Sequence, residues 1–138
     1  MIKPLLQGLA LTLKYYFRPD KVITMQYPDE KWTTYPRFRG LHELQRDENG
    51  KEKCVACGLC STVCPAECID LEGDENEQGE RFAKTYEINM LRCIFCGYCE
   101  EVCPEEAIFL RQGYELASQE KNQIYNKEKL LVPLKKKK

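Results

Sequence analysis

The sequence predicts a small α+β domain that follows an amphipathic helix and has extended segments at both ends. The chain has 138 residues, enough for one compact domain with extensions. A sixteen-residue unit occurs twice, at 54–69 and 93–108, with nine identical positions. Strand-forming runs follow each copy, at 69–71 and 108–110, and a third run, TYEI at 85–88, lies between the copies. The repeat and these strands predict the domain.

Residues 2–18 have the spacing of an amphipathic helix. At about 100° per residue, apolar side chains fall in one arc of the helix, and Lys3 and Lys14 fall on the opposite side. Pro19 ends the helix, because the residue before a proline avoids the α region. The apolar run is too short for a spanning helix, which needs about 20 residues, and no signal-peptide cleavage pattern follows it. Two interpretations stay open: packing on protein, or lying flat at a membrane surface.

Charge is balanced overall but unevenly distributed along the chain. The net charge of −1 provides no global basic field for nucleic acid, so no nucleic-acid partner is expected. The acidic run at 72–80 predicts a solvated loop, and Lys135–Lys138 predict a solvated basic tail.

The segments on either side of the repeat have no sustained period. Residues 19–46 are rich in proline and aromatic residues, and PRFRG at 36–40 fits either a docking surface for a partner or a solvated loop. His42, the single histidine, is predicted to be a hydrogen-bonded structural residue and not a ligand. Residues 119–131 predict a polar helix or an extended tail.

Eight of the nine cysteines fall in two copies of the pattern C-x2-C-x2-C-x3-C-P. This pattern is typical of proteins with two [4Fe–4S] clusters, in which the fourth cysteine of each run binds the other cluster. Three cysteines at two-residue intervals wrap a loop around three corners of a cubane. Gly58 and Gly97 follow the second cysteine of each run, where the backbone is expected to need a positive φ. Structural zinc is the alternative, but it commonly uses two separated CxxC pairs.

The motif therefore predicts two clusters whose ligand sets cross between the copies. The first cluster is expected to take Cys54, Cys57, Cys60 and Cys103. The second cluster is expected to take Cys93, Cys96, Cys99 and Cys64.

The ninth cysteine has no counterpart in the second copy. Cys68 occupies the repeat position of Ala107, so we expect a small buried side chain that does not bind iron. Apolar residues between the ligands are expected to shield both clusters from water: Val55, Leu59, Val63, Ile69, Ile94, Phe95, Tyr98, Val102 and Ile108.

These observations give a two-cluster, bacterial-ferredoxin-like α+β domain with arms. The predicted organisation is a helix at 1–18, an extended docking segment at 19–50, the two-cluster domain at 51–112, and a C-terminal docking segment with a basic tail at 113–138.

Beyond the cluster motif, the chain resembles the subunit I family of NADH–quinone oxidoreductase, respiratory complex I, known as the TYKY type in mitochondria. The resemblance extends over roughly residues 2–131. The stretches that carry it are RFRGLHEL (37–44), KCVACGLCSTVCPAECI (53–69), YEINMLRCIFCGYCEEVCPEEAI (86–108), YEL (114–116) and YNKEKLL (125–131).

The resemblance implies an electron-transfer subunit of a proton-translocating oxidoreductase, with no catalytic residues of its own beyond its redox clusters. Electrons from NADH would pass through its two [4Fe–4S] clusters towards a terminal cluster in a neighbouring subunit and then quinone. The family places the subunit where the hydrophilic arm meets the membrane arm. Its N-terminal helix, here residues 2–18, would lie on the cytoplasmic face of the bacterial inner membrane. The alternatives are the equivalent subunit of a membrane-bound hydrogenase complex and a free two-cluster ferredoxin.

Overall fold

The computed structural model of the chain describes residues 2–18, 20 and 23–133. The predicted basic tail, Lys135–Lys138, and the predicted helix terminator, Pro19, lie outside the described residues. Within the described ranges there are four helices and five strands. In chain order they are α1 Ile2–Tyr16, β1 His42–Leu44, α2 Leu59–Val63, β2 Ile69–Glu75, β3 Arg81–Asn89, α3 Tyr98–Glu101, β4 Ile108–Leu110, β5 Ile124–Asn126 and α4 Lys127–Leu130.

The chain divides into two compact units between Thr33 and Thr34. In the first unit, α1 confirms the predicted N-terminal helix. Pro4 is tolerated because it lies in the first turn, where the backbone N–H has no intrahelical partner. No side chain of α1 is buried, so both its apolar face and its lysines are exposed. Nowhere in the described ranges does a helix have the length and apolar character required to cross a bilayer.

The second unit contains two antiparallel sheets that follow the repeat. The strand that precedes the first copy, β1, pairs with β4, which follows the second copy, and Leu44 lies opposite Ile108. The strand that follows the first copy, β2, pairs with β3, which precedes the second copy, and Ile69 lies opposite Ile88. Each sheet therefore ties the start of one copy to the end of the other, and this brings the two cysteine runs together.

The core of this unit is small and lies between the two sheets and the cysteine loops. Tyr86, Ile88 and Leu130 are its largest fully buried side chains. Its other buried members include Leu44, Ile69, Ala83, Met90, Ile108 and Leu110. A core of this size leaves the unit dependent on other stabilising interactions.

Two sequence predictions about this unit need correction. The acidic run at 72–80 is not wholly a loop, since residues up to Glu75 belong to β2 and pair with β3 in a hairpin. Backbone pairing outweighs the poor strand propensity of these acidic residues, whose side chains remain largely exposed. The segment 119–131 contains both β5, which adds to the edge of β3, and the single turn α4. It packs on the domain, where Leu130 is 1% exposed.

Candidate iron–sulfur centres

The two cysteine runs adopt the same backbone shape. Gly58 and Gly97 have φ values of 81° and 82°, which confirms the predicted positive φ at both positions. The residue two places before each glycine is also left-handed, although it has a side chain: φ is 50° at Ala56 and 53° at Phe95. These left-handed residues fold each run into a tight loop, and a non-glycine residue in this region costs about 1 to 3 kcal/mol.

The fourth cysteine of each run begins a second left-handed turn. Glu67 and Glu106 have φ values of 45° and 46°. Their backbone N–H groups donate to the carbonyls of Cys64 and Cys103, at 3.2 and 3.3 Å. Sequence inspection missed all four non-glycine positions, because neither alanine, phenylalanine nor glutamate indicates a positive φ.

Two cavities lie beside these loops, and their linings cross between the repeats. The first has about 380 Å³ of atom-free space, partly open to solvent, and is lined by Cys54, Cys57, Cys60 and Cys103 among others. The second has about 300 Å³ and is lined by Cys64, Cys93, Cys96 and Cys99, together with Cys68. Each cavity thus has three thiols from one run and the fourth cysteine of the other, as the motif predicts.

The thiols themselves fit a group that carries compensating positive charge. Burial raises the pKa of Cys54, Cys60 and Cys93, and it raises the pKa of Cys99 to about 12. Burial thus disfavours the thiolate form of these four cysteines, two at each site, unless a positive charge lies beside them. Iron binding would therefore displace protons from these groups, as in other thiolate metal sites.

Backbone and side-chain donors reach the sulfurs. The N–H of Phe95 lies 3.4 Å from Cys93 Sγ, and the N–H of Ala107 lies 3.2 Å from Cys103 Sγ. The hydroxyl of the buried Tyr86 donates to Cys60 Sγ at 3.4 Å. Donors of this kind stabilise thiolate ligands and tune the cluster that they hold.

The apolar shield predicted around the clusters is only partly present. Ile69 and Ile108 are buried, but four of the predicted residues are exposed: Leu59, Val63, Ile94 and Tyr98. The prediction was wrong for these four because the cysteine loops lie at the surface of the unit, so their side chains point outward.

Comparison with known proteins agrees with this geometry. Residues 53–107 match the family described as a 4Fe-4S dicluster domain. The chain is 50% identical to NADH-quinone oxidoreductase subunit I 2 of Geobacter metallireducens, over 95% of this chain and 98% of that protein. It is 52% identical to subunit I 1 of Geobacter sulfurreducens, with the same coverage, and 51% identical to subunit 9 of Thermus thermophilus, over 95% of this chain and 75% of the relative.

The chain belongs to the NADH-quinone oxidoreductase subunit I family. Its α+β fold is the two-cluster, ferredoxin-like one, and its cofactors are two [4Fe–4S] clusters.

A solved structure gives a more distant match for this subunit I chain. A chain in the structure of the membrane-bound sulfane sulfur reductase, an archaeal respiratory membrane complex, is 33% identical with a TM-score of 0.50. The match covers 75% of this chain and spans only half of the length of that one.

Cys68 is buried, as predicted, and it lines the second cavity just as its repeat counterpart, Ala107, lines the first. It is 2% exposed and its Sγ is 3.4 Å from Cys64 Sγ. Burial alone would raise the pKa of Cys64, but hydrogen bonds from Cys68 and neighbouring backbone N–H groups hold that pKa below its usual value. Burial raises the pKa of Cys68 itself well above the usual thiol value. Cys68 can therefore act as an S–H donor to Cys64, and the assignment of Cys64 as the iron ligand stays a prediction.

Replacing Cys68 with alanine is therefore expected to leave both clusters in place. Ala107 occupies the equivalent position in the second copy, so the fold of the repeat accommodates an alanine side chain at this position. Iron analysis of the purified variant should give about eight iron atoms per chain, the content of two four-iron clusters. A content near four would mean that Cys68 binds iron.

Two side chains near the second site come from outside the repeat and were not predicted as functional. Arg39 contacts the loop that contains Cys96, and His42 lines the second cavity. The expectation for the PRFRG segment was a partner surface or a solvated loop, yet Arg39 binds within its own unit. The only sequence signal was the position of both residues in RFRGLHEL (37–44), a stretch that resembles the family.

Proposed function

We propose that this subunit I chain relays single electrons within a proton-translocating NADH–quinone oxidoreductase, towards the terminal cluster and quinone. The observation that carries the proposal is the extent of the match, which covers 95% of this chain and 98% of a subunit I relative. It therefore includes the segments outside the dicluster region at 53–107.

The chain contributes binding and environment and performs no bond chemistry. When bound, the two clusters supply one-electron redox chemistry over a range of about −700 to +450 mV across proteins. The proposed ligands of the first cluster are Cys54, Cys57, Cys60 and Cys103. The proposed ligands of the second cluster are Cys93, Cys96, Cys99 and Cys64. Cys64 and Cys103 each line the cavity whose other three cysteines belong to the other run. Each run would therefore hold both clusters and fix the distance between them.

We further propose that α1 lies flat on the cytoplasmic face of the inner membrane. Leu5 and Leu9 are exposed on its apolar side, and Lys3 and Lys14 could meet lipid headgroups. An interfacial helix needs an apolar stripe of this kind but does not need to be long enough to span the bilayer. The segments 19–50 and 113–138 would then contact neighbouring subunits at the junction of the two arms.

A second candidate is the equivalent subunit of another respiratory membrane complex, such as a membrane-bound hydrogenase. The similarity to a chain of the sulfane sulfur reductase complex favours it, but at 33% identity against about 50% for the subunit I relatives. A freely diffusing ferredoxin is disfavoured, because such a protein would not need the exposed apolar helix α1.

Affinity purification tests the proposal. The tagged chain should be isolated from its native membranes in mild detergent, and the partners identified by mass spectrometry. NADH-oxidising and quinone-binding subunits are expected to copurify. Copurification with hydrogenase subunits would support the second candidate, and a chain that purifies alone, stable and monomeric without detergent, would contradict both.

A further inference from the structure

One loop in the repeat is covered by a side chain from the segment that precedes β1. A guanidinium N–H of Arg39 donates to the carbonyl of Cys96, and its other terminal nitrogen is 2.9 Å from Glu101 Oε1. The guanidinium lies so close that a Cβ added to Gly97 would be 2.8 Å from Arg39 Nε. A Cβ added to Gly58, the equivalent residue of the first copy, would have no described atom within 4 Å. Among the described residues, a guanidinium therefore covers the second glycine, Gly97, and none covers its equivalent, Gly58.

A second side chain from the same segment faces the sulfur of a proposed ligand. His42 is 4% exposed, and its Nε2 lies 3.9 Å from Cys93 Sγ. The imidazole ring packs on Phe95, with 5.5 Å between the ring centroids. Among the described residues, the buried Nδ1 has no hydrogen-bond partner. The orientation of the ring is therefore not set by a hydrogen bond at Nδ1. The contact of Nε2 with Cys93 accounts for it.

The ring can donate a hydrogen bond from Nε2. Imidazole carries a hydrogen on one ring nitrogen when it is neutral and on both when it is protonated. A lone pair on Nε2 would face the electron-rich sulfur of Cys93, whereas an N–H there is attracted to it. The Nε2–H tautomer is therefore the one that the site favours.

Both contacts favour the reduced state of a cluster in the second cavity. Reduction adds one negative charge to the site, and the nearby guanidinium attracts that charge, an attraction that solvent and the ion pair with Glu101 reduce because the Arg39 side chain is 52% exposed. Hydrogen bonds to cluster sulfurs likewise raise the reduction potential. The first site has a different donor, the hydroxyl of Tyr86 on Cys60, and no described guanidinium lies against its Gly58.

We propose that Arg39 and His42 are positioning residues that selectively raise the reduction potential of the cluster held by Cys93, Cys96, Cys99 and Cys64. The two clusters have equivalent ligands because of the repeat, but these two residues would give them different reduction potentials. This inference rests on the proposed ligand assignment and on the proposed electron-transfer role.

The test is a redox titration of the assembled complex, monitored by EPR at fixed pH. The two cluster signals are first assigned by their loss in Cys54→Ala and Cys96→Ala. In Arg39→Gln and in His42→Leu, the second cluster's reduction equilibrium should shift towards the oxidised state by about tenfold, which is 59 mV for a one-electron couple. The first cluster should not shift. Tyr86→Phe should move the first cluster alone.

Matched controls separate tuning from a general effect of charge or folding. Arg37→Gln removes the same charge from an exposed residue of the same segment and should change neither potential. His42→Gln keeps an N–H donor and should restore much of the potential lost in His42→Leu. If Arg39→Gln loses the second cluster altogether, Arg39→Lys, which keeps the charge, should retain the cluster with a potential close to that of the wild type.

An unchanged second potential with both clusters intact would overturn the proposal, and so would an equal shift of both clusters. A shift confined to the signal lost in Cys54→Ala would contradict the placement of these residues at the second site. The complex in which the chain copurifies is determined independently, so failure of the proposed function is distinguished from failure of this inference.

Discussion

Replacing Cys64 with alanine is expected to remove the cluster whose other three ligands lie in the second copy of the repeat. Cys64 lines the same cavity as Cys93, Cys96 and Cys99, although it belongs to the first run. Loss of one thiolate opens a corner of the cubane to solvent and removes one of four bonds to the cluster. Iron content should fall from about eight towards about four per chain, and one EPR signal should disappear while the other is retained.

The reciprocal variant is the matched control for this crossing arrangement. Cys103→Ala should remove the cluster held by Cys54, Cys57 and Cys60, because Cys103 lines the first cavity. If each substitution instead damaged the cluster of its own run, the ligand sets would not cross. If Cys64→Ala kept both clusters, Cys68 would be the ligand in its place.

Removal of iron is expected to unfold the unit that begins at Thr34. The core is small, and four non-glycine residues of the cysteine loops hold strained left-handed conformations, which cost about 1 to 3 kcal/mol each. Metal binding to structural thiolate sites supplies about 10 to 16 kcal/mol in zinc peptides, comparable to the whole stability of about 5 to 15 kcal/mol of a typical domain. Without the clusters, the loops have only a few hydrogen bonds to offset their strain.

The measurement is circular dichroism and amide hydrogen exchange after chelation of iron under reducing conditions. The β-sheet signal and the protection of β2 and β3 amides should be lost together with the iron. The control is the same chelator under conditions in which the iron content of the protein does not fall. A metal-free chain that kept protected β3 amides would contradict the expectation and would mean that the apolar core suffices.

The sequence predicted the parts of the site that depend on local spacing. The positive φ of Gly58 and Gly97 follows from motif chemistry, because a cubane imposes the spacing of its ligands. The crossing of the two ligand sets stays a prediction. The sequence indicated that Ile69 and Ile88 lie in strands, but it did not indicate that these two residues pair with each other.

Contacts across long stretches of chain were not predictable. Arg39 reaches Cys96 and Glu101, and His42 reaches Cys93, only because β1 pairs with β4. Nothing in the local sequence specifies that pairing. The short elements β5 and α4 were missed as elements of the fold for the same reason, since their stability comes from packing on β3 and not from propensity.

Electron transfer through both clusters of this chain, within an NADH–quinone oxidoreductase, can be followed by freeze-quench EPR of the purified complex after addition of NADH. Cys54→Ala and Cys96→Ala are used to assign the two signals. Both signals should change within a single turnover, and either variant should stop NADH-dependent quinone reduction while NADH oxidation by an artificial acceptor continues. Quinone reduction at the full rate while both signals stay unchanged would contradict this electron-transfer role.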